Sequence, residues 1–344
     1  FHGWIMADPH SFPSGVTTFV DAGSPGANTF ESFRREWIDK SKTRILAFLN
    51  VVDNGMNDVD ENTVARMRPD AAAEMACRYP DLIVGIKAAH YWMGGAYDAD
   101  HQPWDNVERA VQAGELCHKP VMVDFWPRPP ERSYRELLMS KLRPGDIHTH
   151  VFGQPFPILA ENGRVNELMW EARDRGILFD LGHGGASFVW RNAQPAAQQG
   201  FYPDSISTDL HRGSLHKAVS QIECMSKFLN LGLSVEDVVR LSTVAPAAEI
   251  NHPELGTLTV GAEADVAVLR LREDECGFVD SLLTRLSGTR RLECLLTLRA
   301  GEAVHDPNGL TKPDRHRAPL GYWFNSAFPM PDYYADKIKK GQLR

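Results

Sequence analysis

Short apolar runs recur along the first two thirds of this sequence, separated by stretches long enough to form a helix. Seven such runs begin at residues 15, 43, 82, 120, 146, 177 and 205, so successive starts lie 26 to 39 residues apart. Continuous apolar runs of this length are typical of strands buried on both faces, and the spacing is that of a repeated βα unit. The pattern predicts an α/β protein, and seven units favour a (β/α)8 TIM-type barrel of about 250 residues.

The main alternative to a barrel is an open, doubly wound parallel sheet. The G-x-G-x-x-G sequence that often follows the first strand of that fold is missing after the first run, Gly15–Asp21. A closed barrel needs eight strands, whereas the sequence offers seven runs. We therefore expect the first barrel strand to lie ahead of Phe1, in keeping with a chain that does not begin with Met.

The pattern changes after residue 250, where apolar residues alternate at short spacing. The segments Leu255–Gly261, Ala264–Leu271 and Glu293–Val304 predict a small antiparallel β unit. We expect a barrel over residues 1–250, a partial β-sandwich over 251–310 and a C-terminal tail over 311–344. Aromatic residues at 321–324 and 332–334 predict that the tail packs on the body or on a neighbouring subunit.

Composition argues against several classes of protein. Hydrophobic residues make up 43% of the chain and charged residues 24%, which is ordinary for a soluble folded protein. A net charge of −8 without a long basic block argues against nucleic acid as a partner. No apolar run approaches the ~20 residues that a membrane-spanning helix needs. Five scattered cysteines favour a reducing, cytoplasmic location, although any signal peptide would lie ahead of Phe1.

Polar residues stand at or just after the ends of the predicted strands. In a TIM-type barrel these positions converge on one rim, where the chemistry takes place. Oxygen and imidazole ligands without thiolate suit zinc or manganese. The rim set is Asp21, Asn50, Lys87, Asp124, His150, His183 and Asp209. Its metal-competent members are Asp124, His150, Asp209 and, if its charge is removed, Lys87.

Taken singly, most of these residues also have a structural explanation. Lys87 could extend to solvent, Asp124 could cap a loop, and His183 lies in a glycine-rich turn. Asp209 is the strongest single candidate, because a carboxylate that ends an apolar strand is costly unless it is paired or bound to a metal. The joint pattern, rather than any single member, indicates a functional rim.

Six motifs occur in order along the chain: Ser14–Gly23, Val84–Lys87, Pro144–His150, Phe179–Gly185, Pro203–His211 and Leu255–Leu269. They resemble the amidohydrolase superfamily, specifically its amidohydrolase/deacetylase branch related to dihydroorotase and D-aminoacylase. The resemblance covers about residues 3–310. It implies a TIM-type barrel with a small β-sandwich and a binuclear metal centre.

The resemblance implies roles for the rim residues. Lys87 would be carboxylated by CO2, and its carbamate would bridge two divalent metals, zinc or alternatively manganese. His150 would be a metal ligand, and Asp209 would be a ligand that also takes a proton from the bridging water and passes it to the leaving amine. His183 would contact the substrate. The residues predicted to bind substrate are His90, His183, His211 and Arg212.

Two departures from the family pattern bear on the metal content. The family carries a His-x-His pair at the end of its first strand, and none precedes Gly15. His148 and His150, which are two residues apart and are expected to share one face of their strand, cannot replace it, because they follow the Lys87 strand and occupy the sixth position. Asp124 stands where a histidine is usual. We expect the complete parent to be binuclear and the chain as given to be metal-poor and weakly active.

The leading prediction is a metal-dependent hydrolase of C–N bonds, acting on an N-acyl or cyclic amide or on a related acyl ester. One alternative is a catalytically impaired barrel that serves as a scaffold or small-molecule binder, which the absent first strand favours. Another is a metal phosphoesterase on the same barrel. In each case the expected partner is a small molecule, and a homo-oligomer is expected.

Overall fold

A parallel sheet of six strands forms the centre of the chain. The structure is a computed structural model that describes residues 5–57, 60–318 and 329–342. Each strand pairs in parallel with the next along the chain. The strands are β1 (Thr18–Gly26), β2 (Arg44–Asn50), β3 (Ile83–Ala88), β4 (Val121–Val123), β5 (Ile147–His148) and β6 (Leu178–Phe179). This sequential, parallel order confirms the predicted α/β class and is that of a TIM-type barrel.

The seventh predicted run, residues 205–209, continues the sheet by a single bridge rather than a full strand. Asp180 bridges Ser205 in parallel, and the Leu181 N–H donates to the Ser205 carbonyl at 3.0 Å. Regular pairing stops before Asp209, which has a φ of 43°. Within the described residues, no strand pairs with the outer edge of β1.

The first strand begins later than the apolar pattern predicts. Residues Phe12–Ser14 form a 3-10 turn, and Gly15 ends it with a φ of 75°, a conformation that favours glycine. The sheet therefore starts at Thr18 instead of residue 15. In the centre of the sheet, β2 and β3 are buried along almost their whole length, as expected for strands covered on both faces.

Helices between the strands cover the sheet. In Asp105–Cys117, buried Val107, Ala110, Ala113 and Cys117 recur every three or four residues and form one apolar face. The helix between β2 and β3 begins at Pro69, which stands in its first turn. The helices are α1 (Ala7–Ser11), α2 (Phe30–Glu36), α3 (Pro69–Arg78), α4 (Asp105–Cys117), α5 (Tyr134–Glu136), α6 (Glu167–Asp174), α7 (Trp190–Gln198), α8 (Gln221–Asn230), α9 (Val235–Arg240), α10 (Val244–Glu249) and α11 (Asp332–Lys339).

A three-stranded antiparallel sheet follows the helices. It consists of β7 (Val266–Val279), β8 (Arg285–Arg299) and β9 (Glu302–His305). The predicted strand at Leu255–Gly261 is wrong, since glycines with positive φ stand at both of its ends and Leu258 and Val260 are exposed. The sequence also hid the length of the hairpin, because charged residues interrupt its apolar pattern where β7 bulges between Glu273 and Cys276.

The chain divides into two compact units, Phe1–His305 and Asp306–Arg344. The predicted barrel and β-sandwich ranges both fall almost wholly in the first unit, and their boundary at residue 250 stays a prediction. In the second unit the structure describes α11, while the aromatic segment 321–324 lies outside the described residues. The packing of the tail stays a prediction. No helix in the described ranges combines the length and apolar character needed to span a membrane.

Candidate active site

Five of the seven predicted rim residues, Asp21 among them, line one cavity of about 870 Å3, whereas Asn50 and His183 do not. Lys87 lies in β3, Asp124 directly follows β4, His150 follows β5 by two residues, and Asp209 follows the Ser205 bridge. Parallel strands end at the same edge of a sheet, so residues far apart in sequence reach the same space. The structure therefore brings together the residues predicted to bind metal.

Lys87 is buried rather than extended to solvent. Its side chain is only 3% exposed, which excludes the explanation that it snorkels to water. Gly23, in β1, packs directly against it, because a Cβ added at Gly23 would lie 2.5 Å from the Lys87 Cγ. Burying an ammonium group is costly unless its charge is compensated or removed, and both are compatible with a metal-binding role.

This contact leads to a stability prediction. Gly23→Ala is expected to lower the free energy of unfolding by about 2 kcal/mol, since alanine disfavours the Gly23 φ of 102° and its Cβ would collide with Lys87. Gly94→Ala is the matched control, because nothing lies within 4 Å of the added Cβ. Urea unfolding measures both. Equal stabilities of the two variants would contradict the contact.

Asp124 faces imidazole rings instead of capping a loop. Its Oδ2 lies 3.2 Å from the Nε2 of His90 and 3.6 Å from the Nε2 of His150. Burial alone would raise the pKa of Asp124, but the neighbouring His150 and His90 rings and the Lys87 charge outweigh burial and hold it well below its usual range. Asp124 is therefore an ionised carboxylate at neutral pH.

His150 has the hydrogen bonding of an oriented metal ligand. Its Nδ1 lies 2.6 Å from the Gly182 carbonyl, which can only accept, so Nδ1 carries the hydrogen and Nε2 faces Asp124. A ligating histidine is commonly fixed in this way by a second partner on its other nitrogen. Burial lowers the pKa of His150, yet the adjacent Asp124 carboxylate more than offsets this and raises it overall.

Asp209 stands at the cavity wall beside a second imidazole. Its Oδ2 lies 3.9 Å from the Nε2 of His211, and 38% of its side chain is exposed towards the cavity. Desolvation by the surrounding atoms raises the pKa of Asp209 despite this opening. Gly184 approaches closely, since an added Cβ there would lie 2.4 Å from the Asp209 Oδ2. A side chain at position 184 would therefore displace the Asp209 carboxylate from this position.

His148 does not share the site with His150. It is fully buried among the rings of Tyr134, Phe156 and Phe179, and burial lowers its pKa to about 3. The ring is therefore neutral in the folded protein. Of the two histidines that follow each other on β5 and its extension, only His150 lines the cavity.

The residues predicted to contact substrate separate into two groups. His90 and His211 line the cavity, whereas Arg212 occupies the next turn and is not among its lining residues. His183 is fully buried, and its Nε2 accepts a hydrogen bond from the Lys227 Nζ at 2.7 Å. The structure does not bring His183 or Arg212 together with the other candidates, and their contact with substrate stays a prediction.

Two buried neutral histidines give a pH-dependent stability. Burial lowers the pKa of both His148 and His183 to about 3, whereas an unfolded chain has a value near 6.5. Below pH 6.5 the unfolded chain therefore binds protons that the folded chain excludes, and stability falls as pH falls towards 3. From pH 7 to 5.5 the expected loss is about 1 kcal/mol for each ring.

Urea unfolding of chelator-treated protein at the two pH values measures this loss. His148→Phe, which keeps an aromatic ring among aromatic neighbours, is expected to remove about half of it. A variant that keeps the full loss would show that His148 is not the neutral, buried group described.

Sequence reasoning missed two residues near this site. Glu61 lies 3.7 Å from the Nδ1 of His90, and its hydrogen bonding, followed by the charge of Asp124, raises the pKa of His90 to about 9. Lys227 reaches the loop beside Asp209 from α8. No local signal marks either one, since Glu61 lies in a polar loop and Lys227 looks like an ordinary helix-surface lysine. The glycines on either side of His183 were the sequence feature that indicated close packing in the loop around it.

The donor atoms of Asp124 and His150 are placed to bind one cation in common, provided that Lys87 supplies a further ligand. In the described part of the chain, no three His, Cys, Asp or Glu side chains form a ready-made metal cluster. The Nε2 of His150 nevertheless faces the Asp124 Oδ2 across 3.6 Å. Two ligands of a tetrahedral zinc, each about 2.0 to 2.1 Å from the metal, lie roughly 3.4 Å apart. A further ligand would come from another residue type, and Lys87 is the buried candidate on the same rim.

A parallel α/β barrel whose strand ends bring carboxylates, imidazoles and a lysine to one cavity is an enzyme architecture, and comparisons with known proteins specify it further. A deacetylase from Brucella anthropi is 34% identical over 276 residues, covering 78% of this chain and 66% of that protein. A solved dihydroorotase is 30% identical with a TM-score of 0.75, and a solved adenine deaminase is 25% identical with a TM-score of 0.80. Each alignment covers 89% of this chain and 82% of the solved one.

The chain therefore belongs to the amidohydrolase superfamily, in its deacetylase and dihydroorotase-like branch. This confirms the family indicated by the ordered motifs, and the similarity in fold supports the barrel. No protein-family model matches the chain. The chain spans just under two thirds of the length of the first curated deacetylases that it matches.

Proposed function

We propose that this protein is a metal-dependent hydrolase of C–N bonds that acts on N-acyl or cyclic amides, or on a related acyl ester. The observation that carries the proposal is the meeting of four side chains at one cavity: Lys87, Asp124 and His150 from the ends of three strands, and Asp209 from the segment that follows the Ser205 bridge. Similarity to a deacetylase and to a dihydroorotase supports amide chemistry.

The residues that would hold the metal are Asp124, His150, Asp209 and Lys87, the last as a carbamate formed with CO2. Zinc or manganese suits this set of oxygen and imidazole ligands. A metal bound there would lower the pKa of a water molecule and polarise the carbonyl of the substrate. The Gly182 carbonyl supports the site by holding His150 in one tautomer.

Asp209 is the proposed acid and base. Its raised pKa makes its carboxylate a better proton acceptor than an exposed aspartate, and it keeps the protonated form accessible nearer neutral pH, so that the proton can be held and then passed on. The Asp209 Oδ2 would take the proton of the attacking water and deliver it to the leaving nitrogen. The Nε2 of His211, 3.9 Å from the Asp209 Oδ2, faces the carboxylate before it takes the proton and after it has delivered it.

The remaining cavity wall supports a substrate with both polar and apolar parts. Hydrogen bonding to Glu61 raises the pKa of His90 to about 9, so a positive charge faces the cavity at neutral pH. Met93, Trp126 and Phe156 contribute apolar surface to the same cavity. This combination suits an acyl group of modest size beside an electron-rich carbonyl.

A substrate panel tests the proposal with chain that has been loaded with zinc or manganese. A panel of N-acetyl amino acids, dihydroorotate-like rings and phosphotriesters should distinguish an amide hydrolase from a phosphoesterase and from a protein that only binds its ligand. Because the chain as given is expected to be metal-poor, amide turnover should be weak before loading; added metal should raise it, and a chelator should abolish it. Turnover of phosphotriesters alone would support the phosphoesterase alternative, and tight binding without turnover would support the binder. Either result would contradict the proposal.

A further inference from the structure

The loop that follows β6, residues 181–185, lies against both His150 and Asp209. The carbonyl of Gly182 accepts the hydrogen bond from the His150 Nδ1, and Gly184 packs against the Asp209 Oδ2. The two glycines have φ values of 45° and 52°. The backbone position of this short loop therefore sets the orientation of two of the candidate site residues.

His183, between these glycines, points away from the cavity and anchors the loop from behind. Its Nδ1 donates to the Gly184 carbonyl at 3.0 Å, and its Nε2 accepts from the Lys227 Nζ at 2.7 Å. Its ring also stacks on Phe188, with the centroids 4.7 Å apart. His183 is 0% exposed, so all of these contacts are buried.

Lys227 connects this loop with the one that carries Asp209. Its Nζ also donates to the Lys217 carbonyl at 2.8 Å, and the Ser214 hydroxyl in the same segment donates to the Asp209 carbonyl at 2.8 Å. Lys227 is fully buried in α8. Glu223, one turn earlier on the same helix, pairs with Arg291, and none of the ion pairs among the described residues includes Lys227.

Stability alone does not account for this arrangement. A buried ammonium group without a carboxylate partner costs free energy, and an apolar side chain of similar size would fill the space at lower cost. The hydrogen bonds that Lys227 makes instead reach two loops, both of which bear on the site. Burial of Lys227 lowers the stability of the fold, but its hydrogen bonds fix the two loops beside the site. This combination is consistent with a positioning role.

We propose that the buried His183–Lys227 pair is a positioning device that holds loop 181–185 so that Gly182 orients His150 and Gly184 confines Asp209. Both members are positioning residues, because neither lines the cavity. The inference deepens the proposed function and rests on it, since it assigns His150 and Asp209 to the metal-dependent reaction. It replaces substrate contact as the role of His183.

Lys227→Met tests the inference, because methionine keeps the length of the side chain and removes its donors. We expect zinc affinity to fall about 10- to 100-fold, as for other losses of support behind metal ligands, and kcat to fall with KM little changed. Hydrogen exchange should become faster at the amides of His183 and Gly184, which donate to the Ser207 and Thr208 carbonyls. Chelator competition and exchange mass spectrometry measure these effects.

Cys224→Ala is the matched control on the same helix. Cys224 is buried like Lys227, but its Sγ approaches only the Ala218 carbonyl and not the loop. We expect this variant to lose stability without a change in zinc affinity or in the exchange of residues 181–185. If both variants lose stability alone, Lys227 is merely structural and the inference is overturned.

A double variant decides whether the two residues act as one unit. His183→Phe keeps a ring against Phe188 and removes the hydrogen bond to Lys227. Combined with Lys227→Met, it should weaken zinc binding by less than the sum of the two single changes, since both remove the shared hydrogen bond and each removes only one further bond of its own. Additive losses would overturn the coupling.

Failure of the inference can be told from failure of the proposed function. A wild-type chain that binds zinc and hydrolyses amides, beside a Lys227→Met variant with unchanged zinc affinity and exchange, overturns the inference alone. A wild-type chain that binds no zinc and turns over no amide overturns the proposed function. In that case hydrogen exchange still tests the inference. Unchanged exchange at the amides of His183 and Gly184 in Lys227→Met would show that Lys227 does not hold the loop in place.

Discussion

Lys87→Met is expected to lower kcat at least about a thousandfold and to remove most of the bound zinc. The variant cannot form a carbamate, and metal assistance is worth several kcal/mol of transition-state stabilisation. Methionine matches the buried stem of Lys87 beside Gly23, so the fold should persist. Steady-state kinetics and zinc content by plasma mass spectrometry measure the two effects.

Lys119→Met serves as the control for this change. Lys119 precedes β4, away from the carboxyl ends of the strands, and its Nζ contacts only the Pro80 carbonyl, at 3.3 Å. Its loss should leave kcat and zinc content within about twofold of wild type. Turnover by Lys87→Met at the wild-type rate would contradict a role for Lys87 in holding the metal.

Asp209→Asn is expected to lower kcat by about 100- to 10,000-fold at pH 7, the range usual for loss of a general acid–base group. The amide keeps the shape of the carboxylate beside Gly184 but cannot accept the proton of the attacking water. Because Asp124, His150 and Lys87 remain, some zinc should be retained. KM should change much less than kcat, since the loss falls mainly on the transition state.

A surface variant separates this effect from a general change of charge. Asp39→Asn removes an exposed carboxylate that pairs only with Arg34, and it should leave kcat and stability nearly unchanged. Both aspartate variants are compared by kinetics at several pH values and by urea unfolding. An Asp209→Asn enzyme with wild-type kcat would exclude Asp209 as the proton carrier.

The sequence predicts the rim well because parallel geometry is simple. An apolar run followed by a polar residue marks the end of a buried strand, and all such ends of a parallel sheet lie on one side. Lys87, Asp124, His150 and Asp209 were found in this way, and the structure brings them to one cavity. What this pattern cannot give is the direction of a side chain once the strand has ended.

His183 and His148 illustrate this limit. His183 lies at the rim in sequence, but its ring points to Lys227, whose place depends on the packing of α8 more than forty residues further along the chain. His148 precedes the rim and enters an aromatic cluster. The long β7–β8 hairpin was also underestimated, since its largely exposed face carries charges where the apolar pattern was sought.

Anomalous diffraction at the zinc edge, from crystals grown with zinc, would show whether Asp124 and His150 hold a metal between them. We expect a peak in the cavity within about 2.0 to 2.2 Å of both the Asp124 Oδ2 and the His150 Nε2, with density for a carbamate on Lys87 next to it. Anomalous peaks only at the protein surface, with an unmodified Lys87 and no metal between Asp124 and His150, would contradict it.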